Sequence, residues 1–216
     1  MLWDAILFDL DGTLWDSTEG VLTSWNRGLA AHGLSPFITR TDLESCMGLL
    51  LPDIAARLFP DMEADERLML IKDCMRLENA YLAQHGGELY PGVPETLAQL
   101  SEAYPLAIVS NCGDGYIESF FAAHHLDQYI TDYEHPGRTG LDKAGNIRAV
   151  VERNGWRHPV YVGDTRIDLD ASRSAGIPFI HAAYGFGRLD GVRRLDHFSD
   201  LPALLRYDDE APRPLN

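Results

Sequence analysis

Ala5-Ile6-Leu7-Phe8-Asp9-Leu10-Asp11-Gly12-Thr13 is an apolar run that opens into two carboxylates and a glycine turn. Four consecutive apolar residues bounded by a turn read as a short strand buried on both faces. Residues two apart on an extended chain point to the same side. Asp9 and Asp11 can therefore face one small volume beyond the strand's carboxyl end, where open parallel sheets hold ligands. Two like charges at that range are costly unless a cation or a shared proton holds them. A hard divalent ion such as Mg²⁺ resolves the conflict and leaves one carboxylate for chemistry. Asp-x-Asp-Gly is also an ordinary turn sequence, so the pair needs support from elsewhere in the chain.

Outward from this stretch, apolar runs alternate with helical patterns. Strands are expected at Ala5–Phe8, Leu106–Val109, Tyr129–Tyr133, Val160–Val162 and Pro178–His181. That alternation predicts a parallel α/β sheet. Between Asp16 and Gly87 the rhythm changes. No strand pattern stands there, and helices are broken at Gly33-Leu34-Ser35-Pro36, Gly48–Pro52 and Pro60-Asp61, with one long helix from Glu66 through His85. An all-helical block directly after the first strand reads as an inserted cap, with one side of a larger core as the alternative. Its place beside the Asp pair favours a lid that excludes water. The core is expected to resume at Tyr90-Pro91-Gly92-Val93-Pro94, a turn into a helix. Residues 1–15 and 88–216 would then form the core and residues 16–87 the helical cap. The tail Asp208-Asp209-Glu210-Ala211-Pro212-Arg213-Pro214 is expected to fray.

The 216 residues suit one large domain or a core with an insert, and 45% hydrophobic residues suffice for a proper core. A formal net charge of −15 argues against nucleic acid or an anionic membrane as the main partner. It leaves room for a small anionic substrate, because a metal and one lysine can reverse the local potential. No stretch has the apolar length of a membrane span, and Met1-Leu2-Trp3-Asp4 does not open a signal peptide. Cys46, Cys74 and Cys112 form no Cys-x-x-Cys pair, which fits reduced thiols and a cytoplasmic setting.

Three further features fall at the ends of later strands. Ser110-Asn111 closes Leu106–Val109 and can donate hydrogen bonds to a phosphoryl oxygen, or can be a plain turn. Lys143 opens a helix, a poor place for a cation given the positive end of the helix dipole. A nearby anion would explain it, and a solvated surface lysine is the alternative. Gly163-Asp164-Thr165-Arg166-Ile167-Asp168 follows the strand Val160–Val162, and an immediate helix would put Asp168 one turn along from Asp164. Together these make a phosphoryl-transfer set: nucleophile, second acid, metal cage and donors for the equatorial oxygens.

With Asp9-Leu10-Asp11-Gly12-Thr13-Leu14-Trp15-Asp16-Ser17, Ser110-Asn111, Lys143, and Gly163-Asp164-Thr165 with Asp168, the chain resembles the haloacid dehalogenase-like hydrolase superfamily. The likeness is to the phosphoglycolate phosphatase-type branch with a helical cap. The resemblance implies an α/β fold, a doubly wound parallel-sheet (Rossmann-like) core with an inserted α-helical cap domain. It implies a Mg²⁺-dependent phosphatase of small phosphate monoesters, phosphoglycolate among them, working as a monomer or homodimer on a small phosphorylated metabolite. Asp9 would be the nucleophile and Asp11 the acid and then the base. Mg²⁺ would be held by Asp9, the backbone carbonyl of Asp11 and Asp164, with Asp168 direct or through water. Ser110, Asn111 and Lys143 would bind the phosphoryl group. The sequence departs from the branch at Leu141-Asp142-Lys143-Ala144-Gly145-Asn146, which lacks the common Lys-Pro. Tyr184-Gly185-Phe186-Gly187 resembles a glycine-rich loop, with a simple loop as the alternative reading.

Three rivals stay open at this point. A true dehalogenase needs no second acid, so Asp11 argues against it. A β-phosphoglucomutase-type mutase shares the motifs and would use cap residues, for which Arg57 and Lys72 are available. A non-catalytic binding module on the same fold would be signalled by loss of Asp9 or Asp11, and both are present. A carboxylate-bearing substrate would want a cap cation, and Arg27, Arg40, Arg57, Arg67, Lys72 and Arg76 are all candidates. The segment Gly48–Pro52 is, by resemblance, the part of the cap that enters the cleft.

Overall fold

The computed structural model describes residues 3–210. The apolar runs become the interior of one six-stranded sheet. In chain order its strands are β1 (Ala5–Phe8), β4 (Leu106–Val109), β5 (Asp132–Glu134), β6 (Pro159–Gly163), β7 (Phe179–Ala182) and β8 (Arg194–Leu195). Their spatial order is β5-β4-β1-β6-β7-β8, and every pairing is parallel. The chain steps from β1 outward through β4 to β5, then returns to β6 on the other side of β1. That reversal is the switch point of a doubly wound sheet, and it opens a crevice at the carboxyl ends of β1, β4 and β6. The register sets Phe8 beside both Ile108 and Val162, so Asp9, Ser110 and Asp164 emerge at nearly one level.

The central strands β1, β4 and β6 are buried on both faces, as their unbroken apolar runs require. Ile6, Phe8, Ile108 and Val162 pack one way with Leu97, Phe120 and Phe198. Ala5, Leu7, Val109 and Tyr161 pack the other way against Ile147, Val150 and Ala171. The covering helices are α5 (Val93–Ser101), α6 (Tyr116–His124), α7 (Pro136–Thr139), α8 (Lys143–Asn154), α9 (Arg166–Ala175) and α10 (Leu201–Glu210).

Four helices form the segment after the first motif: α1 (Thr18–Ala31), α2 (Arg40–Glu44), α3 (Leu51–Leu58) and α4 (Ala64–His85). Along α1, Val21, Trp25 and Leu29 are buried four residues apart, a single apolar stripe. It faces α4 closely, with Gly28 set against Cys74 and Gly20 against Leu82. A two-stranded antiparallel ribbon ties the ends of this segment together, β2 (Trp15–Asp16) pairing with β3 (Glu88–Leu89). The segment expected to lack strands thus contains Asp16 of β2, a strand too short to leave a pattern.

The far strands of the sheet depart from the sequence expectation. The strand expected at Tyr129–Tyr133 lies at Asp132–Glu134, and Asp127–Tyr129 is a 3₁₀ turn. This edge strand carries two acids, which Arg153 holds by contacts of 2.6 Å to Asp132 and 2.6 Å to Glu134. β8 was not foreseen. The last helix runs through Glu210, and residues 211–214 of the stretch expected to fray lie outside the described residues. Among the described residues no helix is long and apolar enough to cross a membrane.

Candidate active site

Asp9 leaves β1 with its backbone N–H donated to the Val162 carbonyl at 2.8 Å, which fixes it to the end of β6. Lys143, the first residue of α8, is only 2% exposed. Its Nζ donates to Asp9 Oδ1 at 2.7 Å and to Asp168 Oδ1 at 2.5 Å. The unfavourable placement of a cation at a helix start is thus explained by two anions. Burial alone would lower the lysine's pKa, but Asp168 and Asp9 outweigh it and hold the ammonium well above its ordinary range. Asp168 sits at the third position of α9, where its Oδ2 accepts from Thr165 N at 2.9 Å and Thr165 Oγ1 at 2.6 Å in a capping box.

Asp164 is fully buried beside this pair. Its Oδ2 accepts from the backbone N–H of Phe186 at 2.7 Å, a bond supplied by the Tyr184–Gly187 loop. The loop reaches it because glycine permits the approach. A Cβ on Gly185 would lie 2.2 Å from the Gly12 carbonyl oxygen and 2.6 Å from Asp164 Oδ2. Gly12 itself has φ +79°, and a Cβ there would lie 2.2 Å from the same Oδ2. The other oxygen, Asp164 Oδ1, is buried with no partner.

Asp9, Asp164 and Asp168 each offer a carboxylate oxygen within 4.8 Å of the others. Lys143 bonds two of the three, Asp9 and Asp168, and the crowding of charge shows at Asp9 and Asp164. Burial, then the Asp168 charge, push Asp9 up to about 7 against the pull of Lys143. Burial, then Asp168 and Asp9, push Asp164 well above the carboxylate range. A buried acidic trio with an unpartnered oxygen fits a hard divalent cation of the Mg²⁺ kind.

Asp11 takes a different orientation. It lines the same cavity as Asp9, but its side chain stands outside the acidic trio. Oδ1 accepts from Trp15 Nε1 at 2.9 Å, Ser17 Oγ at 2.9 Å and Tyr116 OH at 2.8 Å. Burial raises its pKa while these three donors pull it down. Neither the metal-sharing reason for pairing Asp9 with Asp11 nor the period-2 argument foresaw this clamp, because Tyr116 comes from a distant helix. Any contribution of Asp11 to a metal is left to its backbone carbonyl.

Ser110 is buried at the end of β4 and lines the cavity with Asp9 and Asp11. Asn111 also lines it, but its Nδ2 donates to the Gly48 carbonyl at 2.7 Å and its Oδ1 is unpartnered. Asn111 thus tethers the loop between α2 and α3 to the core. Gly48 sits in the left-handed region at φ +78°, against Thr165 and Ile167. The expected cap segment does enter the cleft. Lys143, Asp164 and Asp168 flank Asp9 away from this cavity wall.

Of the cap cations, Arg40 is tied to Asp16, Glu19 and Glu44. Arg27, Arg57, Lys72 and Arg76 are exposed. None of the six candidates lines the cavity. Instead the cap contributes Glu78, only 6% exposed, whose carboxylate accepts the Trp25 indole N–H. An acid in the α4 stripe, four residues from buried Cys74 and four from buried Leu82, was the available signal for it. Burial raises Glu78 from an ordinary 4.5 to about 8, against the Trp25 hydrogen bond. The folded protein therefore keeps a proton that the unfolded chain releases in that window, so stability falls as pH rises through it. In urea unfolding between about pH 5.5 and about pH 8, wild type should lose on the order of 2–3 kcal/mol more than Glu78→Gln, which cannot titrate. Parallel losses in the two proteins would contradict this burial.

The family model described as haloacid dehalogenase-like hydrolase matches residues 6–182. The chain is 30% identical to the phosphoglycolate phosphatase (plasmid) of Cupriavidus necator, over 96% of this chain and 95% of that protein. It is likewise 30% identical to the phosphoglycolate phosphatase of Rhodobacter capsulatus, over 93% of this chain and 94% of that one. Its fold matches the crystal structure of a predicted phosphoglycolate phosphatase from Haemophilus somnus with TM-score 0.81 at 21% identity, over 95% of this chain and 99% of that chain. With the sheet order, the inserted helices and the acidic trio already in place, the chain belongs to the haloacid dehalogenase-like hydrolases, in the phosphoglycolate phosphatase-type branch.

Proposed function

We propose that this haloacid dehalogenase-like phosphatase hydrolyses a small phosphate monoester in two steps through an aspartyl-phosphate on Asp9, with Mg²⁺ as cofactor. The observation that carries the reading is the buried trio Asp9, Asp164 and Asp168, two of them bonded to Lys143, with Asp164 Oδ1 unpartnered. Asp9 and Asp164 would hold the ion together with the Asp11 carbonyl. Asp168, whose oxygens already serve Lys143 and Thr165, would act as the anchor of Lys143 and reach the ion through water. When bound, Mg²⁺ neutralises charge on the phosphoryl oxygens.

Lys143 takes up Asp9 Oδ1, leaving Oδ2 to attack phosphorus as the bond to the alcohol oxygen breaks. Asp11, oriented by its three donors, gives its proton to the departing oxygen. As a carboxylate it then takes a proton from water, which attacks phosphorus, releases phosphate and restores Asp9. Ser110 and Asn111 are the donors on the cavity wall, and Lys143 offsets charge beside Asp9. Residues 16–87 would act as a cap domain on a core of 1–15 and 88–216, moving about the β2–β3 ribbon. The mutase reading loses support, because Arg57 and Lys72 are exposed and neither lines the cavity that holds Asp9 and Asp11. Phosphoglycolate, the ester in the relatives' names, is the first natural substrate to test. Three free and separate cysteines support a cytoplasmic setting.

Hydrolysis of p-nitrophenyl phosphate should fall roughly 10²-fold or more in excess EDTA and return on adding Mg²⁺. Activity indifferent to chelation would contradict the cofactor assignment.

A further inference from the structure

The cap half of the cavity is largely apolar. Val21 and Trp25 come from α1, Leu51 and Ile54 from α3, Leu49 from the loop before it, and Met75 from α4. Among the described residues no Lys, Arg or His side chain lines this cavity. Lys72 and Arg76 border an adjoining groove instead. The cap's single carboxyl on the wall is Glu78, and it lies near enough to Asp11 and Tyr116 for their charges to interact. One of its oxygens holds the Trp25 indole, and the other receives no hydrogen bond among the described residues.

We propose that this cavity selects phosphate monoesters whose alcohol half is uncharged and carries a hydroxyl, with Glu78 as the specificity residue that meets that hydroxyl. The inference rests on the phosphatase reading above. A carboxylate on the alcohol half would be buried beside Glu78 with no cation on the cavity wall to pair it, the costliest kind of burial. An ammonium would require two charges to be stripped of water in an apolar cleft. Burial already keeps the Glu78 carboxyl protonated up to about pH 8. A hydroxyl can both donate to a carboxyl and accept from it without adding charge. A purely alkyl alcohol displaces water from Glu78 and gives no hydrogen bond in return. A role confined to holding α1 against α4 through Trp25 would favour none of these alcohols.

The test compares kcat/KM at neutral pH with Mg²⁺ for esters of similar size: glycerol 3-phosphate, n-propyl phosphate, phosphoglycolate and O-phosphoethanolamine. The wild type is run beside Glu78→Gln and Glu78→Leu. Glycerol 3-phosphate should exceed phosphoglycolate roughly 10²-fold or more and n-propyl phosphate roughly tenfold. Glu78→Leu should erase most of the preference over n-propyl phosphate, and Glu78→Gln, which keeps a donor and an acceptor, should retain it. Phosphoglycolate or O-phosphoethanolamine matching glycerol 3-phosphate would overturn the charge selection, whatever the variants do. A preference unchanged in Glu78→Leu would overturn the role of Glu78. If none of these esters, nor p-nitrophenyl phosphate, is hydrolysed, the phosphatase reading itself fails and the selectivity falls with it. Ready turnover of phosphoglycolate leaves the phosphatase reading standing and removes only this inference.

Discussion

Asp9→Asn is expected to lose roughly 10³-fold or more in kcat/KM, a loss of about 4 kcal/mol of transition-state stabilisation. On the proposed reading the variant removes the attacking carboxylate, and with it one anionic ligand of the ion, but keeps the shape of the side chain. An amide oxygen at the same place still accepts from Lys143 Nζ, now 2.7 Å from Asp9 Oδ1. The backbone bond from residue 9 to the Val162 carbonyl is untouched. A neutral amide also escapes the burial and the Asp168 repulsion that together drive Asp9 up to about 7. The melting temperature should therefore stay at or above that of wild type in metal-free buffer. Substantial turnover by this variant would remove Asp9 from the nucleophile's role.

Asp11→Asn should lower both the formation and the breakdown of the phosphorylated enzyme, by roughly 10²–10⁴-fold, as expected for a general acid–base group. The clamp makes this a clean substitution. Trp15 Nε1, Ser17 Oγ and Tyr116 OH all converge on Oδ1, and an asparagine oxygen can accept the same three bonds. What is lost is the exchangeable proton. Rapid-quench kinetics resolves the two steps. A rate within a few-fold of wild type in both would show that another group moves the proton.

The residues that could be read from the sequence are those whose signal is local. β1, β4 and β6 are unbroken apolar runs buried on both faces, and β7 is interrupted only by His181, so the apolar pattern places all four within a residue or so. Asp9, Ser110 and Asp164 follow such runs directly, and a parallel register carries them to one crevice. Lys143 could be suspected because a cation at a helix start needs an anion, and two are present. The parts that escaped depend on partners far along the chain. Tyr116 reaches Asp11 across 105 positions, and the Phe186 N–H reaches Asp164 across 22. The β2–β3 ribbon has two residues per strand, too few to show a period. β5 is an edge strand whose acids are matched by Arg153, so the apolar pattern pointed three residues early. Glu78 is the most consequential omission. Its position in an apolar stripe was visible, but that the stripe reaches the cavity lined by Asp9 and Asp11 was not.

The most direct test of the central claim is rapid acid quench of the wild-type enzyme during turnover of a ³²P-labelled monoester with Mg²⁺, followed by peptide mapping. The account predicts a transient, hydroxylamine-labile phosphoryl group on the peptide containing Asp9, absent from Asp9→Asn. Turnover with no labelled protein at any time point, or label mapped to another residue, would contradict it.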